Sequence, residues 1–256
     1  MRSLALIGSL DGDEVGRGAR RVLAWLLAAL AIALVAAVTV VVVWFPPLAA
    51  TTCPGCYGLE RVAPGVYAEP GLPASRRQQV VSAVEEANRR VDRFYGGRVS
   101  SPRIVACLTD GCYRRIGGGG ERGVAVLNSA VMLSPRGVDP VIASHEMSHV
   151  ELHTRLHSSG ARVPQWFDEG LAVLVSGDPR HLAPATAPDR CLVPAAEPLP
   201  ETLDGWLKAA AADPRTYAEA ACRVDGWVAA HGGSPAVLDL VRRLNSGEDF
   251  HAITGM

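Results

Sequence analysis

His145-Glu146-Met147-Ser148-His149, with Pro164-Gln165-Trp166-Phe167-Asp168-Glu169-Gly170-Leu171-Ala172 further along the chain, is the pair of stretches on which the reading of this protein turns. Residues four apart on an α-helix differ by about 40° of rotation and about 6 Å of rise, so the imidazoles of His145 and His149 can converge on one ion. Glu146, rotated by about 100° from His145, borders the same face and can reach a water beside the ion without ligating it. Catalytic zinc sites keep three protein ligands and one open position, so a third ligand is required. Glu169 is placed to supply it from a second helix that starts at Pro164.

The flanks support a helix around the two histidines. Asp139-Pro140 reads as an N-cap followed by proline at the first helical position, and Ser158-Ser159-Gly160 reads as its stop. Val141, Ile142, Met147, Val150, Leu152 and Leu156 supply the buried surface. His153 and His157 continue the four-residue ladder, but His153 lies about 12 Å along the axis from His145. That is too far to share an ion with ligand distances near 2 Å, so both read as solvated or as partners behind the ligands.

The metzincin pattern requires glycine at 152 and histidine at 155, where this chain has Leu152 and Arg155. HEMSH followed by WFDEGLA instead resembles the gluzincin metallopeptidases, the thermolysin-like and aminopeptidase-like superfamily. The resemblance implies zinc held by His145, His149 and Glu169, with Glu146 as the general base that takes a proton from a water activated by the metal. It further implies an antiparallel edge strand along the cleft, sought here in Gly123 to Leu133 with Asn128, and a helical C-terminal part carrying an oxyanion donor. Tyr217 is the first candidate for that donor and His231 a weaker one. Two departures are visible. Thermolysin-type chains carry an aspartate four residues beyond the glutamate ligand, where Val173 stands here, so a histidine-orienting group must come from Asp168 or a backbone carbonyl. The Gly-x-Met-Glu-Asn stretch of the exopeptidase branch is absent, which favours an endopeptidase acting on a peptide or protein substrate.

Upstream, Val22 to Phe45 is an apolar run without a charged residue, longer than the ~20 residues that cross a bilayer. Arg17, Arg20 and Arg21 precede it and no basic residue follows until Arg61. The positive-inside rule then places residues 1–21 in the cytoplasm as a tail, 22–45 in the membrane as an anchor, and the rest outside. All six cysteines lie after the run, as an oxidised, exported domain would have them. Local spacing favours Cys53–Cys56 and Cys107–Cys112, leaving Cys191–Cys222. A redox role for Cys53-Pro54-Gly55-Cys56 is the lesser reading, because no βαβ context accompanies it.

A formal net charge of −1 gives no bulk attraction for nucleic acid. Thr51 to Ala74, rich in proline and glycine, reads within a connector over 46–74 that contributes a strand around Val66-Tyr67. The domain proper is then 75–256. Ser75 with Gln78 has the form of a capping box opening a helix with Val80, Val84, Val91 and Phe94 on its apolar face. Arg103 to Leu108 reads as a strand, and Gly123 to Leu133 as one or two more. Ile116 to Arg122 is a glycine-rich loop lacking the lysine of a phosphate-binding loop. Ala183 to Pro200 is a proline-rich connector. Asp213-Pro214 opens a helix running to His231, and Ser234-Pro235 another ending near Asn245. The expected architecture is α+β: an N-terminal transmembrane helix, a small and mainly antiparallel sheet, and a helical zincin-like metallopeptidase domain. The competing expectation is a regulatory or binding domain that keeps the zinc-site scaffold without catalysis.

Overall fold

The computed structural model describes residues 12–157, 163–194 and 198–256. Contacts divide the chain into Met1–Pro46 and Pro47–Met256. In the first unit, Gly12–Trp44 form one helix, α1. Its segment Val22–Trp44, with a mean hydropathy of 3.1, is long and apolar enough to cross a membrane, rising about 34 Å against a hydrocarbon core of ~30 Å. The helix begins upstream of the apolar run, so residues 12–21 of the expected tail are helical; residues 1–11 lie outside the described residues.

The second unit comprises α2 (Pro46–Thr52), β1 (Glu60–Ala63), β2 (Val66–Ala68), α3 (Ala74–Tyr95), β3 (Arg103–Ala106), α4 (Asp110–Arg115), β4 (Gly123–Val126) and β5 (Ala130–Leu133). There follow α5 (Pro140–Leu156), α6 (Gln165–Ser176), α7 (Leu203–Ala212), α8 (Thr216–Ala230), α9 (Pro235–Asn245) and α10 (Phe250–Thr254). The stretch read as a connector therefore supplies two strands, and Ala49, Ala50 and Thr51 before them are buried.

The sheet has the order β1-β2-β3-β5-β4. It is mixed, which corrects the expectation of a mainly antiparallel one. The outer pairs β1–β2 and β4–β5 are antiparallel, while β2–β3 and β3–β5 are parallel. The reason lies in the central strands. Ile104, Ala106, Val131 and Leu133 face the main core, and Val105, Cys107, Ala130 and Met132 face a second apolar cluster with Tyr113 and Ile116. A strand buried on both faces reads as a continuous apolar run, and parallel strands are of that kind. Helix α3, lying between β2 and β3 in the chain, is the crossover that parallel pairing requires.

Helix α3 starts at Ala74 with Pro73 as its N-cap and no side-chain cap bond, so the Ser75–Gln78 capping box does not form. Helix α5 starts as expected, the Asp139 carboxylate accepting from the amides of Val141 at 2.8 Å and Ile142 at 3.0 Å. It ends at Leu156; the stop assigned to Ser158-Ser159-Gly160 lies outside the described residues. On its buried side Glu151 accepts from Val99 N, Ser100 N, Ser100 Oγ and Arg155 Nε, all within 2.9 Å. These donors hold its carboxyl below the usual range against the opposing effect of burial.

Helix α6 is buried from Trp166 through Val173 on every side, as expected of a helix at the centre of a fold. It packs against α5, α8 and α3. Trp166, Phe167 and Phe250 form edge-on aromatic contacts there at 5.1–6.1 Å between ring centroids. Helix α8 begins at Thr216, slightly later than the Asp213-Pro214 signal, and α7 has no counterpart in the expected elements. All three disulfides join the expected partners: Cys53–Cys56, Cys107–Cys112 and Cys191–Cys222.

Gly170 permits the closest approach of α6 to α8: a Cβ there would lie 2.6 Å from the Ala220 carbonyl oxygen and 2.8 Å from Val224 Cγ2. Backbone cannot yield as a side chain can, so Gly170→Ala is expected to destabilise the domain by about 1–3 kcal/mol. Gly226→Ala, on α8 with nothing within 4 Å, should instead be neutral or stabilising by up to about 1 kcal/mol. Thermal melts of the two variants against the parent check the contrast, and equal melting points would remove this account of the interface.

Candidate metal centre

One side of the site is the cap-initiated helix α5. Its geometry places the His145 and His149 rings side by side, with centroids 4.9 Å apart and planes at 81°. The other side is the first half of α6, anchored by its buried aromatic residues. It brings Glu169 Oε2 to 3.3 Å from His145 Nε2 and 3.8 Å from His149 Nε2. One donor atom from each of the three residues lies within 4.8 Å of the others. Donors about 2 Å from a tetrahedral ion sit about 3.4 Å from one another, so the spacing suits a cation. Two imidazole nitrogens and one carboxylate oxygen form a donor set suited to catalytic zinc. The three residues expected as ligands are thus brought together.

Asp168 decides how the histidines are held. It is buried, and its Oδ1 lies 2.7 Å from His149 Nδ1 while its Oδ2 lies 2.7 Å from His153 Nε2. A hydrogen bond from Nδ1–H to this carboxylate fixes the tautomer that leaves Nε2 of His149 free to ligate. Asp168 is therefore the group in contact with His149 where Val173 offers none, and His153 lies on the far side of that carboxylate from the candidate ligands. Gln165 Nε2 donates to Glu169 Oε1 at 3.1 Å, leaving Oε2 as the atom that faces both imidazoles.

The electrostatics follow from three acids sharing one space. Burial would raise the Asp168 carboxyl, but the His149 charge and hydrogen bond, with His153, hold it far below the usual carboxylate range. Glu169 is likewise lowered against burial, by the hydrogen bond with His145 and the nearby His149. Burial disfavours a charged His149, yet the Asp168 charge and hydrogen bond, reinforced by Glu169 and Glu146, lift its pKa to about 10. Glu146 moves the other way. Burial pushes its carboxyl up, opposed by His145 and His149.

Glu146 is also positioned by the sheet. The backbone amide of Ala125 on β4, the end strand of the sheet, lies near its carboxylate and weakly favours the charged form. Gly123 allows that strand to pass over α5, since a Cβ there would lie 2.8 Å from Glu146 Cγ and 2.9 Å from Ile142 Cγ2. These residues open into a cleft of about 580 Å³ that β4, Asn128 and α7 also line. A smaller cavity of about 290 Å³ continues past His145 and Glu146 towards Arg180 and His181.

Tyr217 reaches the site from α8. Its ring is centred 6.4 Å from that of His145, stacked on His181 at 5.2 Å and edge-on to Trp206 at 5.0 Å. Burial, with the Glu169 charge, raises its hydroxyl to about 12, so it remains a proton-bearing donor. His231 does not line the cleft; it caps α8 about 21 Å along the axis from Tyr217, with Nδ1 2.7 Å from the Trp227 carbonyl oxygen. That withdraws it as the weaker oxyanion candidate. His181, Arg180 and the Ala125 amide are members of the site that no motif in the sequence marks. No protein-family model, curated protein or solved structure matches this chain.

Two outcomes are expected. Asp168→Asn should weaken the affinity for Zn²⁺ by about 10–100-fold, read by competition with a chelator; unchanged affinity would refute the orienting role. A His149 pKa raised to about 10 means the ring is protonated at neutral pH and must lose that proton to ligate. Zinc affinity should therefore rise with pH across the neutral range, by about tenfold per unit for one proton released. Calorimetry in buffers of different ionisation enthalpy counts the protons, and a count of zero is the contrary result.

Proposed function

We propose that this chain is a membrane-anchored, extracytoplasmic zinc peptidase of the gluzincin kind, and an endopeptidase within it. The observation that carries the reading is the meeting of His145, His149 and Glu169 around one point with Glu146 beside them. A closed structural site has no use for a carboxylate held next to the ligands. Here Glu146 is packed under Gly123 of β4, and burial makes it a better proton acceptor than an exposed glutamate.

A zinc ion held by this group supplies Lewis acidity, which makes water nucleophilic near neutral pH and polarises a carbonyl. The chain's own residues account for the rest. Glu146 accepts the proton of the attacking water and can return it to the departing amine. Tyr217, which keeps its proton at physiological pH, donates to the oxygen on which negative charge develops. Asp168 and His153 keep His149 from rotating during the cycle. The outer edge of β4, the end strand of the sheet, offers backbone groups to an extended peptide by strand addition.

Space on both sides of His145 and Glu146 supports internal cleavage. The larger cleft lies on one side, and the cavity toward Arg180 extends the binding surface on the other. The apolar helix and the three disulfides support a membrane anchor with the site in an oxidising, extracytoplasmic compartment.

Glu146→Gln tests the reading most directly. The variant should bind zinc as the parent does while its kcat on a mixed peptide library falls by about 10²–10⁴-fold. Metal content and product mass spectrometry are the readouts. Parental turnover in this variant, or a zinc-loaded parent that cuts no peptide, defeats the assignment.

A further inference from the structure

Among the described residues of 47–256, five large apolar side chains are prominently exposed: Val99, Leu127, Leu192, Leu203 and Leu207. Three of these five, Leu127, Leu203 and Leu207, line the one cleft that holds the candidate metal centre. Single exposed leucines need no explanation, but several gathered at a concave site do.

Leu127 is 68% exposed and sits in the turn between β4 and β5. Its φ of 51° is left-handed, a conformation that suits glycine or asparagine far better than leucine. Neither core packing nor turn chemistry asks for leucine at this position. Leu203 and Leu207 are 57% and 58% exposed. They are four residues apart and so share one face of α7. That helix is not free to roll, because its fully buried Trp206 packs edge-on against Tyr217 at 5.0 Å. The two leucines are therefore held in fixed relation to the residue that borders His145.

We infer that Leu127, Leu203 and Leu207 form an apolar clamp that selects a bulky aliphatic or aromatic side chain on an extended peptide lying in the cleft. The inference rests on the peptidase reading for its occupant, and on exposure and geometry for its chemistry. The clamp is continuous with the metal-site cleft, whose volume of about 580 Å³ falls within the usual ligand-site range of ~300–1,000 Å³. Val124 and Ala125 of the end strand line the same cleft, so a peptide paired along β4 meets the leucines with its side chains. A polar side chain would leave the three leucines wet, whereas a large apolar one removes hydrocarbon from water on both partners.

The test uses the zinc-loaded full chain in phosphatidylcholine nanodiscs and fluorescent peptide pairs that differ only by Leu or Ser at one scanned position. Binding is measured on the Glu146→Gln protein and cleavage on the parent. The Leu peptide should bind and be cut about tenfold better than its Ser partner at one position. Leu127→Asn, which suits the left-handed turn, and the exposed double change Leu203→Ser with Leu207→Ser should each bring that ratio towards about twofold without weakening the Ser peptide. A ratio near one in the Glu146→Gln protein, no binding of any peptide, or a ratio untouched by all three substitutions overturns the clamp. A parent that cuts nothing while the binding ratio behaves as stated removes the peptidase reading and leaves the clamp standing. Cleavage without side-chain preference does the reverse.

Discussion

The carboxylate of Asp168, buried between the imidazoles of His149 and His153, is the contact on which the site's geometry depends. It joins α5 to α6 at the level of the candidate ligands, and Glu169 follows it on the same helical turn. One turn of α6 thus delivers both a donor atom and the group that orients the neighbouring donor. A lone buried carboxylate is costly, and removing one partner of such a pair typically costs 3–5 kcal/mol. The relative placement of α5 and α6 is therefore constrained by charge as well as by apolar packing. The charges of Asp168, Glu169 and Glu146 together favour a protonated His149 against its burial, while burial pushes Glu146 itself towards its neutral form.

Two glycines convert this helix pair into an open site. Gly170 lets α8 approach α6 until backbone meets backbone, and Tyr217 is carried on that helix to the vicinity of His145. Gly123 lets β4 cross α5 directly over Glu146, so that the strand and the carboxylate share one wall of the cleft. Any larger residue at either position would separate layers that must touch. Packing density and chemistry are coupled here: the same close approaches that bury the core fix the atoms around the centre.

Much of this was legible in the residues because the responsible physics is local. The convergence of His145 with His149 follows from helix pitch, the start of α5 from Asp139-Pro140, and the disulfide partners from short spacings. What escaped depends on partners remote in sequence. The parallel pairing of β3 with β2 and β5 showed only as continuous apolar runs, which a strand buried on both faces shares with other buried segments. The Ser75–Gln78 pattern matched a capping box, yet the helix begins earlier behind Pro73. Helix α7 is anchored chiefly by Trp206 and carries leucines towards solvent, so its apolar pattern does not announce a core helix. Asp168 stood as one of two possible orienting groups because nothing in the sequence tells on which side of α6 a carboxylate will fall. His181 joined the site only through its stacking on Tyr217, a contact between loop and helix without a local signature.

The compartment and the choice of donors fit together physically. Every cysteine is consumed in a disulfide. Cys191–Cys222 closes a 31-residue separation that in chain-entropy terms restricts the unfolded state by about 3–4 kcal/mol. It does so five positions beyond Tyr217 on α8, bracing the helix that carries the oxyanion candidate. Conditions that preserve these bridges would also oxidise a free thiolate ligand. A centre built from two imidazoles and a carboxylate has no such weakness. The arginines at 17, 20 and 21, ahead of the apolar segment Val22–Trp44, are the kind of charge bias that keeps the preceding end of a membrane-spanning helix in the cytoplasm. Charge ahead of the apolar segment, covalent bridges after it, and oxidation-resistant donors in the cleft are each in keeping with the proposed topology, and each rests on a different force.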